Sequence, residues 1–128
     1  MTGFIEEELA DERRFRAMVC RAPSWAKQSL RQLAEEAGEH ACTLMSAVYL
    51  ITGACYRPGG VHGEVVMQGW CPSLREQYHT EACGGLNYAR AAEGTADPCL
   101  RRILERLSRE EYHHADVLMG LLQRSMGC

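Results

Sequence analysis

The sequence predicts an all-α fold: four helices in two helical hairpins, which a long crossover loop joins into one four-helix bundle. Three observations predict it. Apolar residues recur at alternating steps of three and four, which places them on one face of a helix. Proline and glycine divide the chain into four such segments. The connection between the second and third segments is long and glycine-rich, whereas the other two are very short, and short connections make antiparallel neighbours.

We therefore expect a single domain over residues 1–128, a length that suffices to bury a core. The helices are predicted at 3–21, 24–52, 73–93 and 98–125. Every start after the first carries a capping signal, namely Ser24, Ser73 with Glu76, and Asp97 before Pro98.

The crossover loop is predicted at 53–72, between a first hairpin at 3–52 and a second at 73–125. A connection of this length lets the chain cross the bundle, so that the second and third helices run parallel. Within it, the stretch GEVVMQGW could form a short strand or a packed loop.

Composition excludes several classes of protein. The formal net charge is -3 and the basic residues are scattered, so we expect no nucleic-acid partner. No apolar run approaches the length of a membrane span, and the acidic stretch MTGFIEEELADERRF lacks the features of a signal peptide. We therefore expect a cytoplasmic protein that does not contact membranes.

The seven cysteines form no Cys-x-x-Cys pair, which argues against a zinc ribbon, a rubredoxin-type iron site and a thioredoxin-type motif. A reducing cytoplasm is the simplest compartment for them. Four lie in or beside predicted helices and are expected to be free thiols that behave as small apolar residues: Cys20, Cys42, Cys83 and Cys99. The residues His62, Cys71 and His79 share no metal-binding spacing and are expected on the surface or in loops.

The two hairpins contain an internal repeat. Mostly apolar residues form a stripe on the second helix at 30, 33, 37, 40, 44, 47 and 51. A similar stripe on the fourth helix falls at 104, 107, 111, 114, 118 and 121. The two are related by an offset of 74 positions, so that His40 corresponds to His114 (40 + 74 = 114).

The fourth helix contains two overlapping Glu-x-x-His motifs, and the stripe selects one of them. Glu111 and His114 interrupt the leucines, whereas Glu110 and His113 lie beside the stripe. A carboxylate and an imidazole are costly to bury unless a metal, a charge partner or hydrogen bonds satisfy them. The inward pair is therefore predicted to be Glu111 and His114.

The first and third helices each offer one inward carboxylate. The predicted stripe of the first helix is Ile5, Glu8, Glu12, Phe15 and Val19. That of the third helix is Leu74, Tyr78, Glu81, Gly85, Tyr88 and Ala92. Glu8 belongs to a run of three glutamates, and an acidic first turn can also simply complement the helix dipole. The intervals from Glu8 to His40 and from Glu81 to His114 are 32 and 33 residues, so we expect the four side chains to meet.

This pattern resembles the ferritin-like di-iron carboxylate family, most closely its rubrerythrin-like branch. Members of the family supply one Glu from each of two helices and a Glu-x-x-His from each of the other two. The residues that match are Glu8, His40, Glu81, Glu111 and His114. By resemblance they hold a di-iron centre, with manganese or zinc as alternatives to iron. Family members place a tyrosine near their metals, which by resemblance points to Tyr88.

The first copy of the motif departs from the family at position 37. Ala37 stands where the Glu of Glu-x-x-His is expected, and Glu36 is the candidate substitute ligand; otherwise one iron position has lost its bridging carboxylate. Gly84 occupies a place where rubrerythrins often carry another carboxylate. The chain also lacks the paired Cys-x-x-Cys motifs of a rubredoxin domain.

The resemblance implies a small di-iron oxidoreductase that reduces hydrogen peroxide or oxygen, with a separate protein as electron donor. Two alternatives stay open. One is an iron-handling protein with ferroxidase activity, and the other is a ferritin-like bundle that has lost its metal site and serves as an interaction or structural module. A homodimer would suit a small bundle of this type.

Overall fold

The computed structural model describes residues 1–59, 65–66 and 68–128. These residues contain no strand and four α-helices: α1 (Thr2–Val19), α2 (Ser24–Thr52), α3 (Trp70–Gly94) and α4 (Pro98–Arg124). The predicted all-α class and the number of helices are therefore confirmed. Within the described ranges, no helix is long and apolar enough to cross a membrane.

The helices form two compact units, Met1–Met67 with α1 and α2 and Gln68–Cys128 with α3 and α4. We call them the first and the second hairpin, because the short connection within each makes its helices antiparallel. The crossover loop and the joining of the hairpins into a bundle stay predictions. The stretch GEVVMQGW lies partly outside the described residues, and its described residues before Trp70 have no regular secondary structure.

The predicted starts of α2 and α4 are correct, at residues 24 and 98, whereas α1 begins one residue and α3 three residues before the predicted start. Asp97 caps α4, because its side chain accepts hydrogen bonds from two backbone N–H groups of the first turn, at 2.9 and 3.3 Å. α3 begins at Trp70, three residues before the predicted start, so Ser73 lies inside the helix rather than at its cap. In α2 the cap position belongs to Pro23, and the predicted cap Ser24 is the first helical residue.

The buried residues confirm the predicted stripes of the two His-bearing helices. All six predicted positions of α4 are buried, and so are six of the seven in α2. The exception is Ile51, which is 56% exposed in the last turn of α2. In α3 the stripe is correct except at one position, where Gln77 is buried in place of Tyr78.

A hydrogen-bonded turn follows α2 and returns the chain to α1. Gly53 takes a left-handed conformation (φ 74°) and donates its backbone N–H to the carbonyl of Tyr49 at 2.8 Å, which ends the helix. The side chain of Glu6 then accepts hydrogen bonds from the Tyr56 hydroxyl at 2.5 Å and the Gly59 N–H at 3.1 Å. Glu6 therefore holds the first part of the connecting segment against α1.

The contact with Glu6 raises the pKa of the Tyr56 phenol above its ordinary value of 10.0, because the phenol donates a hydrogen bond to the carboxylate and burial and the carboxylate charge both disfavour a phenolate. We expect Tyr56 to ionise above its ordinary pKa in an ultraviolet titration read as the difference between the natural chain and Tyr56→Phe. The pKa of Tyr56 is higher in the folded state than in the unfolded state. The hydrogen bond to Glu6 therefore stabilises the fold below about pH 10, and this stabilisation is lost as the pH rises through the raised pKa. Repeating the pair of titrations with Glu6→Gln should return the phenol toward its ordinary pKa, and an unchanged curve would contradict the assignment.

Two contacts join the ends of the second hairpin. The indole N–H of Trp70 donates to the hydroxyl of Ser125 at 3.0 Å. Beside it, Cys71 and Cys128 form a disulfide whose Cα atoms are 5.5 Å apart. The first turn of α3 is therefore bonded covalently to the residues that follow α4.

The cysteines differ from prediction in two respects. Cys71, expected on the surface or in a loop, lies in the first turn of α3 and is bonded to Cys128. The four helix-associated thiols are free, as predicted, but they are exposed rather than part of an apolar core: Cys20, Cys42, Cys83 and Cys99. Their positions lie off the buried stripes, which explains the exposure. A disulfide forms most readily in an oxidising environment, so the cysteines no longer favour a reducing compartment.

Candidate metal centre

The second hairpin brings together the three ligands predicted for it. Glu111 and His114 lie one turn apart on the same face of α4, and ligand atoms of the two side chains are within 4.8 Å of each other. From α3, Glu81 Oε1 lies 3.6 Å from His114 Nδ1. The alternative motif faces outward, since His113 is exposed and Glu110 is half-buried. The predicted register of the doubled motif is therefore confirmed.

Glu81 is the most unusual of these residues. Its side chain is only 1% exposed, yet within the described ranges neither carboxylate oxygen accepts a hydrogen bond. The 3.6 Å separation from His114 Nδ1 is longer than a hydrogen bond. Leaving a buried acceptor unsatisfied costs about 1–3 kcal/mol, and more for a charged group. A bound cation would satisfy both oxygens, which is why we regard Glu81 as the centre of the candidate site.

Two glycines of α3 shape the space around Glu111. A Cβ atom on Gly84 would lie 3.5 Å from Glu111 Oε2, an ordinary van der Waals contact. A Cβ on Gly85 would lie 2.9 Å from the ring of Tyr112, and the Gly85 carbonyl accepts a hydrogen bond from the Ser108 hydroxyl at 2.7 Å. Gly85 thus permits close approach of α4, whereas Gly84 leaves room for about one methyl group beside the carboxylate.

This difference predicts opposite results for two alanine substitutions. Gly84→Ala should stabilise the metal-free protein by up to about 1 kcal/mol, because alanine favours the helix and its methyl fits. Gly85→Ala should give a protein at least about 1 kcal/mol less stable than Gly84→Ala, because Tyr112 must move away. Urea unfolding of both variants checks this, with the solvent-exposed Gly120→Ala of α4 as the control for helix propensity alone. Equal stabilisation by both alanines would mean that Tyr112 does not constrain Gly85.

The first hairpin also joins its predicted Glu and His. Glu8 on α1 and His40 on α2 are both buried, and Glu8 Oε2 lies 3.3 Å from His40 Nδ1. The sequence interval of 32 residues therefore brings this Glu and this His together, and the meeting of all four side chains stays a prediction. Ala37, the position that lacks the expected glutamate, is buried.

This hairpin contains a further buried carboxylate that the sequence pattern did not predict. Asp11 is 4% exposed and has an oxygen within 4.8 Å of one from Glu8. It lies three residues after Glu8, so both carboxylates share one face of α1. The predicted stripe continued through Glu12 instead, and the buried side chain one turn beyond Phe15 is Met18 rather than Val19.

Glu12 lies outside the buried stripe, in space that a glycine of α2 leaves open. A Cβ atom on Gly38 would lie 2.5 Å from Glu12 Oε2, so the glutamate side chain occupies the surface that a larger residue would cover. Glu12 accepts a hydrogen bond from Arg16 there, at 3.4 Å. Glu36, proposed as the substitute for the missing glutamate, is only half-buried, and the carboxylate that lies close to Glu8 is Asp11. A stripe predicted from strictly alternating steps of three and four residues could not reveal that Asp11 is buried in place of Glu12.

The other residues considered from the sequence lie on α3 or outside the described residues. Tyr88 is buried on the same stripe of α3 as Glu81, as predicted. His79 is exposed, and its Nε2 lies 3.5 Å from the sulfur of Cys83 on the outer face of α3. His62 lies outside the described residues.

The fold and these side chains define a class: an all-α protein in which buried Glu, Asp and His side chains could hold a metal ion. Comparison with family profiles, with curated proteins and with solved structures gives no match.

Proposed function

We propose that the protein binds iron at both carboxylate–imidazole groups and acts as a rubrerythrin-like oxidoreductase. In this proposal it reduces hydrogen peroxide or oxygen with electrons from a separate donor protein. The observation that carries it is Glu81, a buried carboxylate whose two oxygens accept no hydrogen bond from the described part of the chain. A side chain in that state is costly for stability, and cation binding is the function that its position supports best.

The donor set fits a ferrous ion. Carboxylate oxygens are hard anionic ligands, and imidazole adds a neutral nitrogen, a combination that suits iron and also manganese or zinc. The second hairpin supplies two carboxylates and one imidazole, and the first hairpin supplies at least Glu8 and His40. These few protein ligands leave coordination positions open for a small oxidant.

When bound, iron supplies the electrons for cleavage of an oxygen–oxygen bond. The side chains of the hairpins perform the other tasks. Glu81, Glu111 and Glu8 offset the positive charge of the cations, and their burial keeps the dielectric constant low so that this attraction is strong. Glu81 also lies close enough to the imidazole of His114 to help orient it. Beside Gly84 there is room for about one methyl group next to the Glu111 carboxylate.

The test is to purify the protein anaerobically, load it with ferrous iron and count the iron that remains bound. We expect about two ions per chain if each carboxylate–imidazole group takes one. The variant E111A/H114A should lose about one of them. The matched control is E110A/H113A, which removes the overlapping outward motif from the same turn and should bind as much iron as the natural chain.

Iron binding and catalysis are then separated by a second assay. The loaded protein should consume hydrogen peroxide or oxygen in the presence of a chemical reductant, and E111A/H114A should be much slower. Iron bound without turnover, but oxidised when oxygen is added, would favour the iron-handling alternative. An iron content near zero, unchanged in E111A/H114A, would leave the interaction or structural module as the remaining hypothesis.

A further inference from the structure

Asp11 gives the first hairpin the same ligand types as the second. In the second hairpin the group consists of two carboxylates and one imidazole, from Glu81, Glu111 and His114. In the first, Glu8 lies 3.3 Å from the imidazole of His40, and Asp11 places another buried oxygen within 4.8 Å of Glu8. With Asp11 included, both groups have two carboxylates and one imidazole.

The second carboxylate is carried by different helices in the two hairpins. In the second hairpin, Glu111 stands three residues before His114 on the same helix. The corresponding position of the first hairpin is Ala37, whose methyl group cannot bind a metal. Asp11 stands instead on the opposite helix, three residues after Glu8. A substituted ligand on α1 explains how position 37 could lose its glutamate while the ligand number is kept.

Asp11 forms an ion pair with a neighbouring arginine of α1. Arg14 Nη2 lies 2.6 Å from Asp11 Oδ1 and 3.6 Å from the carboxylate of Glu7. The Nε of Arg14 is buried and makes no hydrogen bond to the described residues, and Nη2 makes both of these contacts. A cation ligated by Asp11 would lie within a few ångströms of this positive charge, which opposes its binding.

Resting on the iron binding proposed above, we infer that Asp11 is the second carboxylate ligand of the first hairpin and that Arg14 limits the affinity of this position for a divalent cation. Arg14 fixes the orientation of the Asp11 carboxylate and weakens metal binding through its charge. Arg14 is therefore a positioning residue and not a ligand. The substitution at position 37 moves a ligand to another helix and does not remove the metal position.

The test is an anaerobic titration of the metal-free protein with Mn²⁺ alone, in which electron paramagnetic resonance measures the free ion. Asp11→Asn should weaken one of the two binding events by at least about tenfold and leave the other unchanged. Asp11→Glu keeps the carboxylate and should retain both. Arg14→Gln should strengthen the same event by about three- to tenfold. The matched control is Arg13→Gln, which removes an equal charge from the adjacent position and should change neither affinity by more than about twofold.

The outcomes separate this inference from the function on which it rests. Two binding events in the natural chain with no change in Asp11→Asn would overturn the role of Asp11 and leave iron binding intact. If Asp11→Asn does not fold, as circular dichroism would show, Arg14→Gln decides: failure to tighten binding beyond the Arg13→Gln control would overturn the inference. Absence of any binding by the natural chain would overturn the proposed function as well.

Discussion

Without metal, the double variant E81M/H114L should be more stable than the natural protein by about 1–4 kcal/mol, because apolar side chains of similar volume replace a buried polar pair. Glu81 makes no hydrogen bond to the described residues, and His114 lies in a stripe of leucines. Addition of ferrous iron should reverse this difference in stability between the natural protein and the variant. At a free concentration 100 times its Kd, iron adds about 2.7 kcal/mol to the natural protein. The variant has lost both side chains and should gain none of this at the second hairpin. Anaerobic urea unfolding with and without iron measures both effects.

A suitable control changes the same stripe without removing a polar group. The variant L104M/L118M has its two substitutions in α4, and each volume-conserving exchange should cost less than about 1.5 kcal/mol with no effect on the gain from iron. The hypothesis fails if E81M/H114L is the less stable protein without metal. That result would mean that the pair is a stabilising structural interaction and not a site that awaits a cation.

Removal of the disulfide in C71S/C128S should lower the free energy of unfolding by about 4 kcal/mol, the chain-entropy value for a separation of 57 residues. The cross-link restricts the unfolded chain of the second hairpin, and its loss also releases the segment that carries Ser125. Because the indole of Trp70 donates to Ser125, its fluorescence should change in the folded state of the variant. Reduction of the natural protein should have the same effects.

The chain provides a matched control for the disulfide in two exposed free thiols of the second hairpin. The variant C83S/C99S makes the same chemical change twice without breaking a bond, and its stability should stay within about 0.5 kcal/mol of the natural protein. Equal stability of C71S/C128S and C83S/C99S would show that the cross-link contributes little to the native protein in solution.

The helices and most of the candidate site could be predicted from the sequence because the relevant signals are local. In α4, leucines at steps of three and four surround a single Glu and a single His, so only this Glu-x-x-His pair can face inward. The cap of this helix was equally clear, because Asp97 precedes a first-turn proline. The intervals of 32 and 33 residues then placed each Glu near its His.

The register of α1 could not be predicted in the same way. Acidic residues stand at 6, 7, 8, 11 and 12, so a helical stripe can pass through either Asp11 or Glu12. The choice depends on Gly38 of the neighbouring helix, which leaves the space that Glu12 fills, and on Arg14, which pairs with Asp11. The first is a contact with another helix, and the second depends on the side-chain conformation of Arg14, so the spacing of residues along α1 determines neither. The disulfide is similar, since no spacing rule relates Cys71 to Cys128.

The short connections inside the hairpins bear on when during folding the protein would bind the proposed metal. Only a few residues separate α1 from α2 and α3 from α4. The Glu and the His of each group therefore come together by closing a loop of about thirty residues. Contacts over such a local separation form fast, and closing the loop costs little entropy. Each hairpin can therefore assemble its own ligands early in folding. A cation present at that stage would stabilise the hairpin through its binding free energy. Iron would then act as a partner in folding, and the rate of refolding would depend on its concentration.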